Sequence, residues 1–155
     1  MGSVLAQLEQ TSVAIWIRES GLLYAYPLVL FLHTLGLSTL VGLSSAIDIR
    51  ILRSGAESPL EPLERLFALM WAGLAISAIT GGLLFIADAT RHASNPAFYV
   101  KLLFVVLAVV ALLLIRKTVF RERKSGRVLA AASLACWFVA LSAARLMAYI
   151  SELIS

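Results

Sequence analysis

Four long stretches without a charged residue limit what this chain can fold into. Asp, Glu, Lys and Arg are absent from residues 20–47, 66–87, 102–115 and 128–144. A helix of roughly 20 residues crosses a bilayer core about 30 Å thick. The first two stretches meet that length directly. The third does so when it is extended back to Phe98, because the long side chain of Lys101 can reach the interface. The fourth is long enough only if Arg145 lies inside the membrane.

The composition agrees with a membrane protein. The chain has 155 residues, of which 61% are hydrophobic and 14% are charged, and its mean hydropathy is +0.93. A soluble domain of this size keeps about a quarter of its residues charged. We therefore predict an all-α fold, an integral membrane four-helix bundle that forms a single domain over residues 1–155. The predicted spans are about 21–47, 65–88, 96–116 and 127–151.

The first residues predict a helix that lies on the membrane rather than across it. Residues 3–19 place most of their polar side chains away from one apolar side, which is typical of an amphipathic interfacial helix. That apolar side consists of Leu5, Leu8, Ser12, Ile15 and Trp16. The segment lacks the basic start of a cleaved signal peptide, so we do not expect its removal.

The basic residues predict the orientation of the bundle. Six of the 13 Lys and Arg residues lie between the third and fourth spans: Arg116, Lys117, Arg121, Arg123, Lys124 and Arg127. Loops rich in Lys and Arg face the cytoplasm. We therefore predict that both termini face outward (N-out/C-out). Because the positive charge is concentrated in one loop, the lipid bilayer and not nucleic acid is the expected partner.

Small residues at four-residue spacing predict where helices pack. Gly73, Ser77 and Gly81 follow this spacing in the second span, and the fourth carries Ala132, Cys136, Ala140 and Ala144. Such seams let helix backbones approach each other inside a membrane. Cys136 is the single cysteine, so an intramolecular disulfide is impossible.

Four ionisable residues fall within the predicted spans or at their ends: His33, Asp88, Lys101 and Arg145. His33 lies roughly 16 Å in from the outer edge, and Arg145 lies about 25 Å from the cytoplasmic edge, at 1.5 Å per residue. All four therefore belong to the outer half of the bundle, and the inner half is predicted to hold none. Ionisable groups inside a bilayer are costly, so each is a candidate functional residue.

Residue types alone leave three interpretations of this cluster open. In the first, His33 binds haem iron, Gly36 on the same face leaves room for the flat macrocycle, and Lys101 and Arg145 pair with the haem propionates. Met147 or an open position is then the second axial site, ahead of His92. In the second, His33 hydrogen-bonds another helix and Arg145 pairs with Asp88. In the third, the residues line a proton or ion path.

Several segments resemble an uncharacterised bacterial inner-membrane family of four-helix proteins. They are Tyr26-Pro27-Leu28, Leu32-His33-Thr34-Leu35-Gly36, Asp48-Ile49-Arg50, Gly81-Gly82-Leu83-Leu84-Phe85, Asp88-Ala89, Ser94-Asn95-Pro96-Ala97-Phe98, Lys101-Leu102, Arg145 and Ala148-Tyr149-Ile150. This resemblance covers most of the chain and implies a multi-pass protein of the bacterial inner membrane. It implies no particular activity.

A more distant resemblance points to haem. The histidine of the first span and the Lys-Leu start of the third are similar to features of the CopD and HemJ membrane proteins. That similarity implies haem b binding at His33 and a role for Lys101. HemJ-like proteins have a further histidine after the lysine, and residues 102–116 contain none, which argues against porphyrinogen oxidation.

Our hypothesis from the sequence is a haem-b-binding membrane protein for electron relay or for redox or gas sensing in the outer half of the bilayer. Its protein partner would be a second copy of the chain or a redox partner. The alternatives are a non-haem membrane subunit or scaffold with a structural polar cluster, and a small dimeric transporter. Whether the chain is an enzyme is left open.

Overall fold

The computed structural model of the chain describes residues 2–19, 25–54, 64–122 and 125–154. These residues form helices and, within the described ranges, no strand. In chain order the helices are α1 (Gly2–Glu9), α2 (Ser12–Glu19), α3 (Ala25–Ser54), α4 (Leu66–Ala87), α5 (Ala89–Ser94), α6 (Pro96–Ile115), a π-helical segment (Arg116–Arg121) and α7 (Arg127–Ile154).

Four of these helices are long and apolar enough to cross a membrane. They are Ala25–Arg53, Leu66–Ala87, Pro96–Arg121 and Arg127–Met147. The predicted all-α, four-span architecture is therefore confirmed, and the chain is a multi-pass membrane protein. Helix α3, which forms the first span, continues past the predicted end at residue 47, because a charged residue does not by itself end a helix. Its predicted start at residue 21 lies outside the described residues, as do residues 123–124 of the basic loop.

The four long helices do not all pack equally on one another. Helix α3 lies against α4 along its length, α6 lies against α7, and α3 also contacts α7. The backbones of α4 and α6 hardly approach each other. Helices α3 and α4 run antiparallel, since His33 meets Gly81, Gly36 meets Ser77, and Leu40 meets Gly73.

The bundle has two halves that differ in packing. The His33 half consists of residues 25–37, 77–107 and 138–154. The Asp48 half consists of residues 38–54, 64–76, 108–122 and 125–137. Most of the large buried side chains lie in the Asp48 half: Leu40, Ile47, Ile51, Phe67, Met70, Leu112, Ile115, Val119 and Trp137. By contrast, no residue of α6 between Phe98 and Leu107 is fully buried.

Helix α6 begins where the sequence predicts. Pro96 occupies its first turn, and the Asn95 side chain caps the helix by accepting a hydrogen bond from the Ala97 N–H at 3.0 Å. Proline suits this position because the N–H it lacks would have no helical partner. The Asn95 amide also donates to the Met147 carbonyl at 3.3 Å and so ties the start of α6 to α7.

The N-terminal segment is helical as predicted, but in two pieces. A turn at Gln10 and Thr11 separates α1 from α2, and Thr11 Oγ1 accepts a hydrogen bond from the Ala14 N–H at 3.4 Å, as an N-cap does. Ala14 and Ile17 are buried on the side of α2 that contacts α3 and α4. Trp16, which the sequence placed on the apolar side, is exposed. The segment therefore packs on the bundle itself.

A carboxylate holds α1 against α5, the short helix that follows α4. Glu9 Oε1 accepts a hydrogen bond from the Thr90 backbone N–H at 2.7 Å, and the Arg18 guanidinium donates to the Glu9 carbonyl at 2.6 Å. The hydrogen bond from Thr90 lowers the pKa of Glu9 below its ordinary value, because it favours the charged carboxylate.

Candidate functional site

His33 lies on the face of α3 that meets α4. Its Nδ1 is 3.0 Å from the Ser77 carbonyl oxygen and 3.3 Å from Thr80 Oγ1. Because a carbonyl can only accept, Nδ1 carries the proton and donates it, and the lone pair of the neutral ring is then on Nε2. Within the described residues Nε2 has no hydrogen-bond partner, and it is not among their fully enclosed unpaired atoms.

A second hydrogen bond joins the same two helices in the opposite direction. The Ser77 hydroxyl donates to the His33 carbonyl at 3.0 Å. Thr80 Oγ1 donates within its own helix to the Ile76 carbonyl at 2.6 Å. The His33 ring and backbone are therefore both tied to Ser77, and the ring has a fixed orientation.

Glycines allow this close approach of α3 and α4. A Cβ atom at Gly36 would lie 2.7 Å from the Gly73 carbonyl oxygen, and one at Gly73 would lie 2.8 Å from the Gly36 oxygen. A Cβ at Gly81 would lie 2.9 Å from His33 Cε1. The predicted seam of small residues on the second span is thus in contact with α3. The space beside Gly36 is filled by α4 and not open to a macrocycle, which differs from the expectation from the sequence.

The structure brings only part of the predicted cluster together. Lys101 is half-buried on α6 and close enough to His33 for an electrostatic interaction. Arg145 is exposed on α7, and no hydrogen bond or ion pair to it is found in the described part of the chain. The backbone carbonyl of Met147 accepts a hydrogen bond from the Asn95 side chain. Lys101 is therefore the cation associated with His33.

Asp88 and His92 form a separate group at the end of α4. Asp88 Oδ2 lies 3.7 Å from the Arg91 guanidinium, so the described residues do not show the alternative pairing with Arg145. His92 Nδ1 donates to the Asp88 carbonyl at 2.7 Å. The His92 ring packs at 5.7 Å, centroid to centroid, from Phe98. These contacts fix the turn between α4 and α6.

The Asp48 half contains a buried acid that the sequence reasoning missed. Asp48 on α3 is fully buried, and neither of its carboxyl oxygens has a hydrogen-bond partner. The hydroxyls of Ser44 and Ser133 are neighbours of this carboxyl, but neither has hydrogen-bond geometry to it. Ser44 Oγ instead accepts from the Trp137 Nε1–H at 3.0 Å.

Asp48 overturns the expectation that this half of the bundle holds no ionisable group. Asp48 ends the first charge-free stretch, so the charge pattern predicts the edge of a span at this position and not a buried acid. A signal was present in the sequence. Ser44 and Asp48 are four residues apart on α3, and Ser133 and Trp137 are four apart on α7, so each pair shares one helix face.

No clustered metal site is found in the described ranges. They contain no group of three or more His, Cys, Asp or Glu side chains able to hold an ion together, and Cys136 is free and half-buried. A haem iron requires less from the protein, because one axial imidazole is enough to hold it. Of the two histidines, His33 is the one with an unpaired nitrogen between long helices.

Comparison with known proteins leaves the site to be judged on its own geometry. No family model matches the chain, and no curated protein and no solved structure is significantly similar to it. The resemblance to CopD and HemJ proteins thus stays a prediction from the sequence. The fold defines the chain as a four-span helical membrane protein in which His33 is hydrogen-bonded between two long helices, and Asp48 is buried without a hydrogen-bond partner among the described residues.

Proposed function

We propose that the chain binds one haem b through His33 and serves electron relay or redox or gas sensing. The observation that supports this most is the state of the His33 ring. Its Nδ1–H donates to the Ser77 carbonyl, which leaves the Nε2 lone pair as the ligand atom. Histidines that bind metals are commonly oriented in this way, because the second hydrogen bond fixes the tautomer and raises the basicity of the ligating nitrogen.

The surroundings of His33 fit a large apolar group with a charged edge. Helices α4 and α6 hardly approach each other, and α6 has no fully buried residue between Phe98 and Leu107, so the described residues leave this apolar stretch of α6 uncovered. Lys101 offers an ammonium group to a propionate. We assign the propionate to Lys101 ahead of Arg145, which is exposed.

The residues of the chain would have distinct tasks. When bound, haem supplies one-electron chemistry and, with an open axial position, gas binding. Ser77 orients His33, and Gly81 allows the ring to lie against α4. Met147 is the candidate for the second axial position, with an open position as its alternative. Gly36 supports this arrangement only by bringing α3 and α4 together.

The orientation follows the basic segment after α6. We assign the π-helical segment and the start of α7 to the cytoplasm of a bacterial cell and the His33 half to the outer side, because basic loops stay inside. In a Cys136→Ala background, cysteine at Ser94 should react with an impermeant thiol reagent in intact cells, and cysteine at Ser125 should not. The reverse labelling would refute this orientation.

An absorption spectrum of the purified protein tests the haem proposal. We expect a Soret band that shifts on reduction with dithionite. A colourless protein after expression with ample haem would instead favour the scaffold, in which the His33–Ser77 hydrogen bonds only join two helices.

Two lysine variants test the propionate assignment. Lys101→Met should lose haem on dilution about tenfold faster than Lys117→Met, because Lys117 is exposed in the other half and one charge-assisted hydrogen bond is worth roughly 1.5 kcal/mol. Equal rates of haem loss from the two variants would remove Lys101 from the site.

A further inference from the structure

The polar group around Asp48 differs from every other polar group in the described part of the bundle. Both oxygens of its carboxyl are enclosed and unpaired, and the neighbouring Ser133 Oγ is enclosed and unpaired as well. Buried polar atoms in proteins nearly always have a partner. Two adjoining unpaired groups on facing helices, α3 and α7, indicate that the partner is something other than a side chain of the described residues.

The missing partner must carry positive charge. A carboxylate buried without compensation costs several kcal/mol even after the protein relaxes, so it is neutralised by a bound cation or by a proton. A water molecule would satisfy hydrogen bonds but would leave the negative charge in place.

The cations of the chain do not fill this role in the described residues. Arg116, at the end of α6, has an enclosed and unpaired Nε, and its guanidinium lies over the Phe67 ring, 5.4 Å from the centroid. The other basic residues that the structure describes at this end are on the exposed surface: Arg50 and Arg53 of α3, Arg65 before α4, Lys117 and Arg121 of the π-helical segment, and Arg127 of α7. None of them forms a hydrogen bond to the Asp48 carboxyl.

We propose that Asp48, Ser44 and Ser133 form a binding site for one exchangeable monovalent cation, H⁺ or Na⁺, between α3 and α7. The ligand atoms are all oxygen, which suits hard cations and not the transition metals that prefer nitrogen or sulfur. A single carboxylate balances a single positive charge. Calcium, in contrast, takes six to eight oxygen ligands, several of them from carboxylates.

The site has a built-in reporter. Trp137 donates to Ser44 Oγ, so loading and unloading of the cation should change the surroundings of its indole. The site is independent of the proposed haem, because Asp48 lies 15 residues from His33, about 22 Å along α3. Failure of one proposal therefore leaves the other intact.

The test uses the full-length protein in detergent and follows the infrared C=O stretching band of a protonated carboxyl. In choline chloride we expect this band in the wild type at neutral pH and its absence in Asp48→Asn. Glu64→Gln is the control, because Glu64 is an exposed acid at the same end of the bundle, and it should keep the band.

Two arms distinguish the cation. If the site takes Na⁺, replacing choline by sodium at fixed pH should remove the band and release about one proton per chain. If the site takes only H⁺, the band should disappear as the pH is raised, and sodium should not change it. Fluorescence of Trp137, in a Trp16→Phe, Trp71→Phe background, should follow the same titration.

A second variant covers the case in which Asp48→Asn does not fold. Ser133→Ala removes one oxygen from the site and should shift the midpoint of the sodium or pH titration about fivefold, which is the loss expected for one such contact. A carboxyl band that is absent throughout, or that persists at every pH and in both salts, would overturn the proposal, as would an identical titration in Asp48→Asn.

Discussion

His33 and Asp48 lie on the same helix, yet the polar atoms around them differ in their hydrogen bonding. Around His33, ring, carbonyl and hydroxyl groups are paired between α3 and α4. Around Asp48, the side chains are packed tightly, and the carboxyl has no partner. A polar group that is paired within the chain can hold two helices together. At His33 the same pairing also orients the ring that we propose as the haem ligand. At Asp48 the enclosed carboxyl, unpaired among the described residues, supports the proposed cation site.

The two halves also achieve close packing by different means. In the His33 half and at its boundary with the Asp48 half, Gly81, Gly36 and Gly73 bring α3 and α4 into contact. In the Asp48 half, large side chains fill the space, such as Phe67 and Phe120, whose rings meet edge to face at 5.1 Å between centroids. A substitution that adds volume should therefore be most harmful at the glycine contact.

The largest effect is expected from Gly36→Val. The new side chain would meet the Gly73 carbonyl, which is backbone and cannot move aside, so α3 and α4 must separate. Overpacking costs about 1–3 kcal/mol where side chains can yield, and we expect at least the upper value here. Gly42→Val is the matched control on the same helix, because nothing lies within 4 Å of a Cβ at Gly42. Thermal unfolding in detergent measures both, and equal melting temperatures would contradict the close contact.

A smaller effect is expected when a serine of each half is replaced: Ser77→Ala should lower the stability more than Ser133→Ala does. Ser77→Ala removes the hydrogen bond to the His33 carbonyl and should cost about 0.6–2 kcal/mol, the range for such bonds within membranes. Ser133→Ala removes a hydroxyl that has no partner, so without sodium and at low pH it should be neutral or slightly stabilising. If Ser133→Ala proves the more destabilising of the two under these conditions, then Ser133 has a direct partner and the contrast between the halves fails.

The smallest effect concerns the N-terminal helix α1, which the Glu9–Thr90 hydrogen bond joins to α5 in the His33 half. The pKa of Glu9 is lowered by the Thr90 N–H, so its stabilising effect is present above about pH 4.3, the ordinary value for Glu. It is lost as the pH falls through the lowered pKa of the folded protein. At neutral pH, Glu9→Gln should speed hydrogen exchange of the Thr90 amide severalfold, and Glu64→Gln should not. Unchanged protection of Thr90 in Glu9→Gln would show that the carboxylate does not hold α1.

Local features of the sequence were enough for the spans but not for both sites. The charge-free stretches and Pro96 predict helices directly, because length and helix starts depend on neighbouring residues. The break before α2 also had a local signal, the N-cap residue Thr11, which the apolar pattern obscured. The site at Asp48 depends on α3 and α7 meeting face to face. That contact is tertiary, so the spacing of Ser44 and Asp48 acquires meaning only once the helices are placed.

The exposure of Arg145 could not be predicted from its neighbours in the sequence either. Its depth along α7 was predicted from the residue count, but whether it faces the bundle depends on which side of α7 meets α3 and α6. The buried residues Ser133, Trp137 and Ala140 define that side, and Arg145 is not on it. The depth of Arg145 therefore stays a prediction, and its expected pairing with Asp88 is not found among the described residues.

The most direct test of the haem proposal compares the two histidines of the chain. His33→Ala and His92→Ala should be purified under the same conditions as the wild type and their Soret absorbance measured per polypeptide. Each ring donates its Nδ1–H to a backbone carbonyl, but His33 lies between the long helices α3 and α4 and His92 lies on the short helix α5, so His33→Ala should lose the band and His92→Ala should keep it. A folded His33→Ala protein that retains haem, together with a His92→Ala protein that loses it, would contradict the assignment and place the ligand at the end of α4.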